Sequence, residues 1–295
     1  MQDLLKIIDD AMPTLSKGQK RIANFIREHY DKAAYMTAAQ LGEEADVSES
    51  TVVRFALELG FDGYPALQHM VQETVRMRLT SLQRIEVTNK RFGTTSVLDA
   101  VLTSDAEKIK YTLDHIDRAA FDRAVEAILG ARTIYIIGVR SSSALAEFLN
   151  YYLSYMFENV RLIRTTSGSE IFEQLLRMAE RDVMLAVSFP RYSSRIVNAV
   201  EYASQTGAKV VSVTDSENSP IAKGAHAVLT ARSDMASFVD SLVAPLSIIN
   251  ALLAAVTRKK QDELAATLTK LEDVWDTFHV YDKSENGHGE NASHE

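Results

Sequence analysis

Apolar residues recur through the first quarter of the chain at the three- and four-residue spacing of helices. Beyond it they switch to short unbroken runs that alternate with helical stretches. Ile22, Phe25 and Ile26 follow Ser16, a residue type suited to a helix N-cap, and predict a helix ending near Tyr30. Thr37 starts a second short helix with Leu41 and Ala45 on its inner face, and Asp46 and Val47 form a tight connection. Ser48 then caps a third helix with Val52, Phe55, Ala56 and Leu59 inward, which Gly60 stops. Residues 1–77 thus predict a compact helical domain.

Residues 78–95 lose the pattern at their end, carry basic and turn residues, and read as a linker. A helix-forming run from Ser96 to Gly130 leads into alternating signals. The strands are TIYIIG (133–138), NVRLIRT (159–165), DVMLAVSF (182–189), AKVVSVTD (208–215) and AHAVLTA (225–231). Helices at 143–157, 169–179 and 193–207 separate the first four, and a long one from Ser237 to Lys260 closes the domain. Buried strands alternating with helices predict a parallel five-stranded sheet flanked by helices over residues 96–258. The fold class is an all-α helix-turn-helix domain followed by an α/β domain. A C-terminal helix (259–279) precedes a polar tail (280–295) too poor in apolar residues to fold, which is expected to be disordered.

Composition narrows the function. At 46% hydrophobic and 24% charged, the chain is globular with a real core. No apolar run is long enough to span a bilayer, and MQDLLKIIDD lacks the order of a secretory signal, so a cytoplasmic protein without a membrane partner is expected. The absence of cysteine excludes disulfides, thiol nucleophiles and Cys-ligated metals. A net charge of −8 argues against coating nucleic acid nonspecifically, so any such contact is local.

Two short helices with a tight turn fit a DNA-reading helix-turn-helix, and ADVSESTVVRFALELGFDGYPAL (45–67) makes the case specific. Val47 plugs the turn, while Glu49, Ser50, Thr51 and Arg54 lie exposed near the start of the reading helix. Arginine is the commonest reader of guanine, and serine and threonine suit phosphate oxygens or base edges. Residues 1–82 hold nine Lys/Arg against twelve Asp/Glu, so Lys17, Lys20, Arg21, Arg27 and Arg54 must cluster to give a positive face. An ordinary helical bundle is the alternative. The string S-E-S-T-V-V-R-F-x-x-x-L-G-F-x-G-Y, followed by the strand-rich half, closely resembles the RpiR family of bacterial transcription regulators. That family joins a helix-turn-helix to a sugar isomerase (SIS) domain, and the resemblance extends to about residue 258. It implies a recognition helix carrying Ser50, Thr51 and Arg54, and a loop at Gly63 and Tyr64 near the DNA backbone. The expected DNA-contacting residues are Lys17, Arg21, Ser48, Ser50, Thr51, Arg54 and Tyr64.

Two strand-to-helix turns, GVRSSSALA (138–146) and SFPRYSSR (188–195), carry hydroxyl clusters. In a parallel sheet both face the carboxyl edge, where helix N-termini offer free N–H groups to anions. A phosphate needs short converging donors, which Ser142, Ser143, Ser193 and Ser194 could supply; alternatively these serines only cap helices. The SIS resemblance implies a first turn of the form Gly-x-Gly-x-Ser. Gly138 and Ser142 match it, whereas Arg140 replaces the second glycine. In the later turn Ser188 matches, while Pro190, Arg191 and Tyr192 fill space and add a permanent positive charge. The expected effector is therefore a phosphorylated sugar or a smaller or more acidic relative, contacted by Ser141, Ser142, Ser143, Ser188, Arg191, Tyr192, Ser193 and Ser194. In SFVDS (237–241), Asp240 could meet sugar hydroxyls, or Ser237 simply caps the long helix.

Aldose–ketose isomerisation needs a general base. His115 lies in the lead-in helix, His226 precedes the last strand, and Glu170 opens a helix whose N-terminus a carboxylate stabilises anyway. No metal-ligand cluster, P-loop or catalytic triad is present in the sequence, so neither metal nor cofactor is expected. The reading is a regulator of carbohydrate metabolism rather than an enzyme. A sugar-phosphate isomerase or lyase, and a plain oligomerisation module, are the rivals. Apolar SLVAPLSIINALLAAV with YYLSYMF predicts a homodimer or homotetramer, since paired heads read half-sites.

Overall fold

The computed structural model describes residues 4–78, 83–85, 96–164, 167–235 and 237–281. Most of the expected linker, and the expected disordered tail beyond residue 281, lie outside the described residues.

The head is helical throughout: α1 (Leu4–Ala11), α2 (Lys17–Glu28), α3 (Tyr30–Ala33), α4 (Ala38–Glu44), α5 (Glu49–Glu58) and α6 (Tyr64–Arg78). The helix expected as the third is therefore the fifth. Ser16 and Gln19 form a capping box at α2, and Thr37 and Gln40 another at α4, so two helix starts are fixed by residues three apart in each box. Ile8, Ile22, Ile26, Leu41, Phe55 and Leu67 are fully buried in one core.

The second unit opens with α7 (Val97–His115) and α8 (Arg118–Leu129). The single helical run expected from Ser96 to Gly130 is broken because Asp117 caps a new helix, its carboxylate accepting from the Ala119 N–H at 2.8 Å. There follow β1 (Ile134–Gly138), α9 (Ser142–Met156), β2 (Val160–Leu162), α10 (Gly168–Leu175), β3 (Val183–Val187), α11 (Ser194–Gln205), β4 (Lys209–Thr214), β5 (Ala227–Thr230), α12 (Val243–Lys259) and α13 (Gln261–Thr277). The strands form one parallel sheet in the order β2-β1-β3-β4-β5. Alternate residues serve opposite faces. Ile134, Ile136, Leu185 and Val211 pack under α8, α9 and α12, whereas Tyr135, Ile137, Met184 and Val210 pack under α10 and α11. Both faces are covered, which is why the strands read as continuous apolar runs.

Two boundaries differ from expectation. The helix expected from Ser237 begins at Val243, because the residues before it leave the sheet and reach the head. The second strand is only three residues long, being an edge strand with one neighbour. At the opposite end of the sheet from the serine turns, Asp182 is buried and accepts from the Ala179 N–H at 2.9 Å and from Arg132 at 2.9 and 2.6 Å. Burial pushes its carboxyl upward, but the bonds from Arg132 and Ala179 outweigh that and hold it below the usual range.

Candidate DNA-reading face and effector site

The turn between α4 and α5 closes through the Val47 N–H, which donates to Gly42 O at 2.8 Å. A Cβ at Gly42 would lie 2.8 Å from Val47 O, so only glycine allows this approach. Asp46 takes the left-handed backbone, at φ 52°. Gly18 of α2 faces Val47 and Thr51, where an added Cβ would sit 3.4 and 3.5 Å from their methyls. The N-termini of α2 and α5 are thereby brought side by side, and the exposed Lys17 stands next to the start of the reading helix. Ser50 and Arg54 are exposed and Thr51 half-buried; the Arg54 Nε donates to Ser50 O at 3.3 Å, which lays the guanidinium along the helix start.

Four expectations for this face need correction. Ser48 occupies the N-cap position, but its hydroxyl makes no capping bond; it lies 3.0 Å from the Ser50 hydroxyl and 2.9 Å from that of Thr51. Arg21 does not stand free for phosphate: it bonds Asp46 O and pairs with the Asp46 carboxylate at 3.2 Å, pinning α2 to the turn. Arg27 pairs with Asp9 at 3.3 Å instead of joining the cluster. Tyr64 is buried, and its hydroxyl donates to Met36 O at 2.6 Å, so it braces the start of α6 within the head. Burial pushes this phenol up to about 12. Lys17, Ser50, Thr51 and Arg54 remain together.

At the carboxyl edge of the sheet Gly138 is paired in register with Val187, so the turns after β1 and β3 are neighbours. A Cβ at Gly138 would fall 2.6 Å from Ser142 O. Arg140 and Arg191 both adopt the left-handed backbone, at φ 58° and 62°. Ser141 and Ser193 stand at the N-caps of α9 and α11, yet neither side chain caps its helix. Ser142 and Ser188 are buried within the two turns, and Ser194 opens α11 exposed. Among the described residues the hydroxyls of Ser141, Ser142, Ser188, Ser193 and Ser194 carry no hydrogen bond. The alternative reading of these serines as helix caps is thus overturned.

Two members of the expected set are otherwise engaged. The Ser143 hydroxyl donates to Arg140 O at 2.7 Å, closing its own turn. The Tyr192 hydroxyl donates to Asp215 Oδ1 at 2.6 Å, joining the β3 turn to the end of β4. Sequence reasoning missed Asp215, although an acid directly after the fourth strand was a signal. Asp240 does not face this edge: it takes a 2.9 Å bond from the buried Arg84, and Ser237 caps no helix.

The histidines lie elsewhere. His115 is stacked on Tyr111 with its Nδ1 2.8 Å from Tyr111 O. His226 precedes β5 at the amino edge, where burial, then Lys209 and Arg123, hold its pKa below the usual value. Glu170 lies exposed in the first turn of α10. Among the described residues no group of acids and histidines could hold a metal ion, and no helix is long and apolar enough to cross a membrane.

Residues 2–77 match the model of the rpiR-family helix-turn-helix domain, and residues 127–255 that of the SIS domain. The sugar isomerase domain of the RpiR transcription factor from Sphaerobacter thermophilus is 30% identical, with a TM-score of 0.56 over 59% of this chain and 96% of that one. The chain belongs to the RpiR family of transcription regulators. Across its length it is similar to the regulator HexR of Escherichia coli, 23% identical over 92% of this chain and 94% of the relative. The NanR protein of Vibrio vulnificus, solved in complex with ManNAc-6P, shares the fold at 22% identity and a TM-score of 0.58, over 93% of this chain and 98% of that one. In this RpiR regulator the helical head is the DNA-binding domain and the α/β unit the SIS domain.

Proposed function

We propose that this RpiR regulator senses a phosphorylated sugar or a related acidic metabolite at the carboxyl edge of its SIS sheet, and couples that event to operator binding. One observation carries the reading: five serines on two adjacent turns keep their hydroxyls uncommitted at the N-termini of α9 and α11. Hydroxyls and free N–H groups at paired helix starts are what a phosphate requires. Arg191, in the second turn, adds a charge-assisted bond. The ManNAc-6P bound by NanR supports the same ligand class here.

The head meets its operator through Ser50, Thr51 and Arg54, with Lys17 on a phosphate. Two heads in an even-numbered oligomer read paired half-sites. The exposed tyrosines Tyr151 and Tyr152 on α9, beside α13, none of whose residues is buried, support an interface on that side. The protein acts in the cytoplasm as a sensor without turnover, since its two SIS-domain histidines lie away from the serine turns and Glu170 complements a helix N-terminus.

The test is a thermal-shift screen of sugar phosphates and inorganic phosphate on wild type and on Ser193→Ala/Ser194→Ala. A hit should stabilise wild type and not the double variant, and should change binding to the protein's own promoter region in a mobility-shift titration. Conversion of the same compound to an isomer, followed by NMR, would replace the sensor with an enzyme. Equal stabilisation of both proteins would remove the site.

A further inference from the structure

Between β5 and α12, residues 232–235 and 237–241 reach α7 and the head. The Arg232 N–H donates to the Thr112 hydroxyl of α7 at 3.0 Å, and its guanidinium lies 4.8 Å above the Tyr111 ring. Met235 is buried in the core of the DNA-binding head and bridges back to Asp240 in antiparallel fashion. Asp240 receives a 2.9 Å bond from Arg84, whose side chain is only 2% exposed. The Ser241 hydroxyl donates to Asp105 at 2.7 Å, and Asp105 also accepts from the buried Lys108 at 3.1 Å. One short strap is thus fastened to α7, to the head and to a buried arginine between the domains.

Its other end reaches the serine turns through a continuous set of bonds. The Tyr192 hydroxyl is held by Asp215 at 2.6 Å, and the Thr214 hydroxyl donates to the same carboxylate oxygen at 3.2 Å. Thr214 O accepts from the Ala231 N–H at 2.7 Å, one residue before the strap begins. Tyr192 sits between Arg191 and Ser193, so a group entering that turn competes with Asp215 for the tyrosine. The Arg84–Asp240 pair is the charged fastening of the strap, and removing one partner of a buried ion pair is costly.

We propose that the strap from Arg232 to Ser241 fixes the DNA-binding head against the SIS domain and transmits the state of Tyr192 to it. The identity of the trigger rests on the sensor reading; the lock and its connection to Tyr192 do not. Coupling of this kind requires an element with two arrangements that both sites bias, and the Arg84–Asp240 lock with Met235 supplies it.

The chain has no cysteine, so two introduced at exposed Asn24 in α2 and Glu201 in α11 carry the only spin labels. Labelled full-length protein, diluted with unlabelled protein so that distances within one chain are read, should give one narrow distance. Met235→Ala and Asp240→Asn should each broaden or shift it. Arg84→Met with Asp240→Leu, which removes both members of the Arg84–Asp240 pair together, should do the same and guards against a variant that fails to fold. Tyr192→Phe, which deletes one hydroxyl far from the head, should move the distance in the same direction. An unchanged distance in the strap variants overturns the lock. A change there with none in Tyr192→Phe overturns the transmission and leaves a fixed tether. If no sugar phosphate binds but Tyr192→Phe still shifts the head, the strap stands and only the effector reading falls.

Discussion

Replacing Arg191 with glycine should weaken effector binding and stabilise the fold at once, an uncommon pairing that the backbone explains. Arg191 is held at φ 62° and makes no hydrogen bond or ion pair among the described residues. A non-glycine residue there costs about 1–2 kcal/mol, and glycine recovers that less roughly 0.5–1 kcal/mol of extra unfolded-state entropy. The net gain is about 0.5–1 kcal/mol, or a melting temperature raised by about 1–4 °C for a domain of this size. Arginine holds such a position against its conformational preference only if its charge serves something. A charge-assisted bond to an anion contributes about 1.5–3 kcal/mol, so Arg191→Gly should bind the effector about ten- to a hundredfold more weakly. Arg191→Ala is the control, losing the same affinity without the gain in melting temperature. Calorimetric titration with the most stabilising sugar phosphate, and scanning calorimetry of the three proteins, decide it. Unchanged affinity with a raised melting temperature would place the ligand elsewhere; a lowered melting temperature would mean that the guanidinium supports the turn.

Gly138→Ala should destabilise by about 1–3 kcal/mol in urea titration, because its Cβ would sit 2.6 Å from Ser142 O and 3.0 Å from the Ala146 Cβ in a packed layer. Arg54→Ala should cost about 1–3 kcal/mol in operator binding and relax specificity at one position, whereas Lys17→Ala should weaken all sequences alike and flatten the salt slope by about one in mobility-shift titrations. Asp182, held below the usual carboxylate range by Arg132 and Ala179, contributes stability that is present above the unfolded value of 3.8 and lost as pH falls further. Asp182→Asn should therefore be less stable at neutral pH and show a shallower loss of stability in acid, read by chemical denaturation from pH 7 to about 3.

How much of this was legible in the sequence depended on whether a residue's role is local. The strands could be read because both faces of the sheet are covered, which turns Ile134–Gly138 and Val183–Val187 into unbroken apolar runs. The helix-turn-helix could be read because Asp46 and Val47 form a two-residue connection between helices with apolar inner faces, and Asp46 takes the left-handed backbone there; the need for Gly42 shows only in the fold. Asp117 escaped because one cap inside a long helix-forming run looks like any exposed acid until the chain bends there. Arg21, Arg27 and Asp240 were misassigned for another reason. Charges on one helix or loop suggest an open face, but their partners, Asp46, Asp9 and Arg84, are 18 to 156 residues away and found by folding. Ser143 and Ser193 are alike as sequence signals. Only the backbone of each turn decides that one hydroxyl is committed to Arg140 O and the other is not.

Tyr64 separates the family resemblance from the geometry most cleanly, and Tyr64→Phe tests which prevails. The resemblance puts this residue in a loop near the DNA backbone, where its hydroxyl could meet a phosphate. In the fold it is buried, and the hydroxyl donates to Met36 O, which also accepts from the Gln68 side chain at 2.6 Å. Deleting the hydroxyl strands no acceptor, so the loss should be that of one hydrogen bond, about 0.5–1.5 kcal/mol of stability. Operator affinity and its salt slope should stay as in wild type at temperatures well below melting. Burial favours the neutral phenol and raises it from 10.0 to about 12. That contribution is whole below pH 10, and it fades as pH rises toward 12. Phenylalanine has nothing to ionise, so the variant should lose less stability than wild type across that interval. A Tyr64→Phe protein as stable as wild type, but with weakened DNA binding and a flatter salt slope, would show that the hydroxyl reaches a phosphate and that the brace to Met36 gives way in the complex.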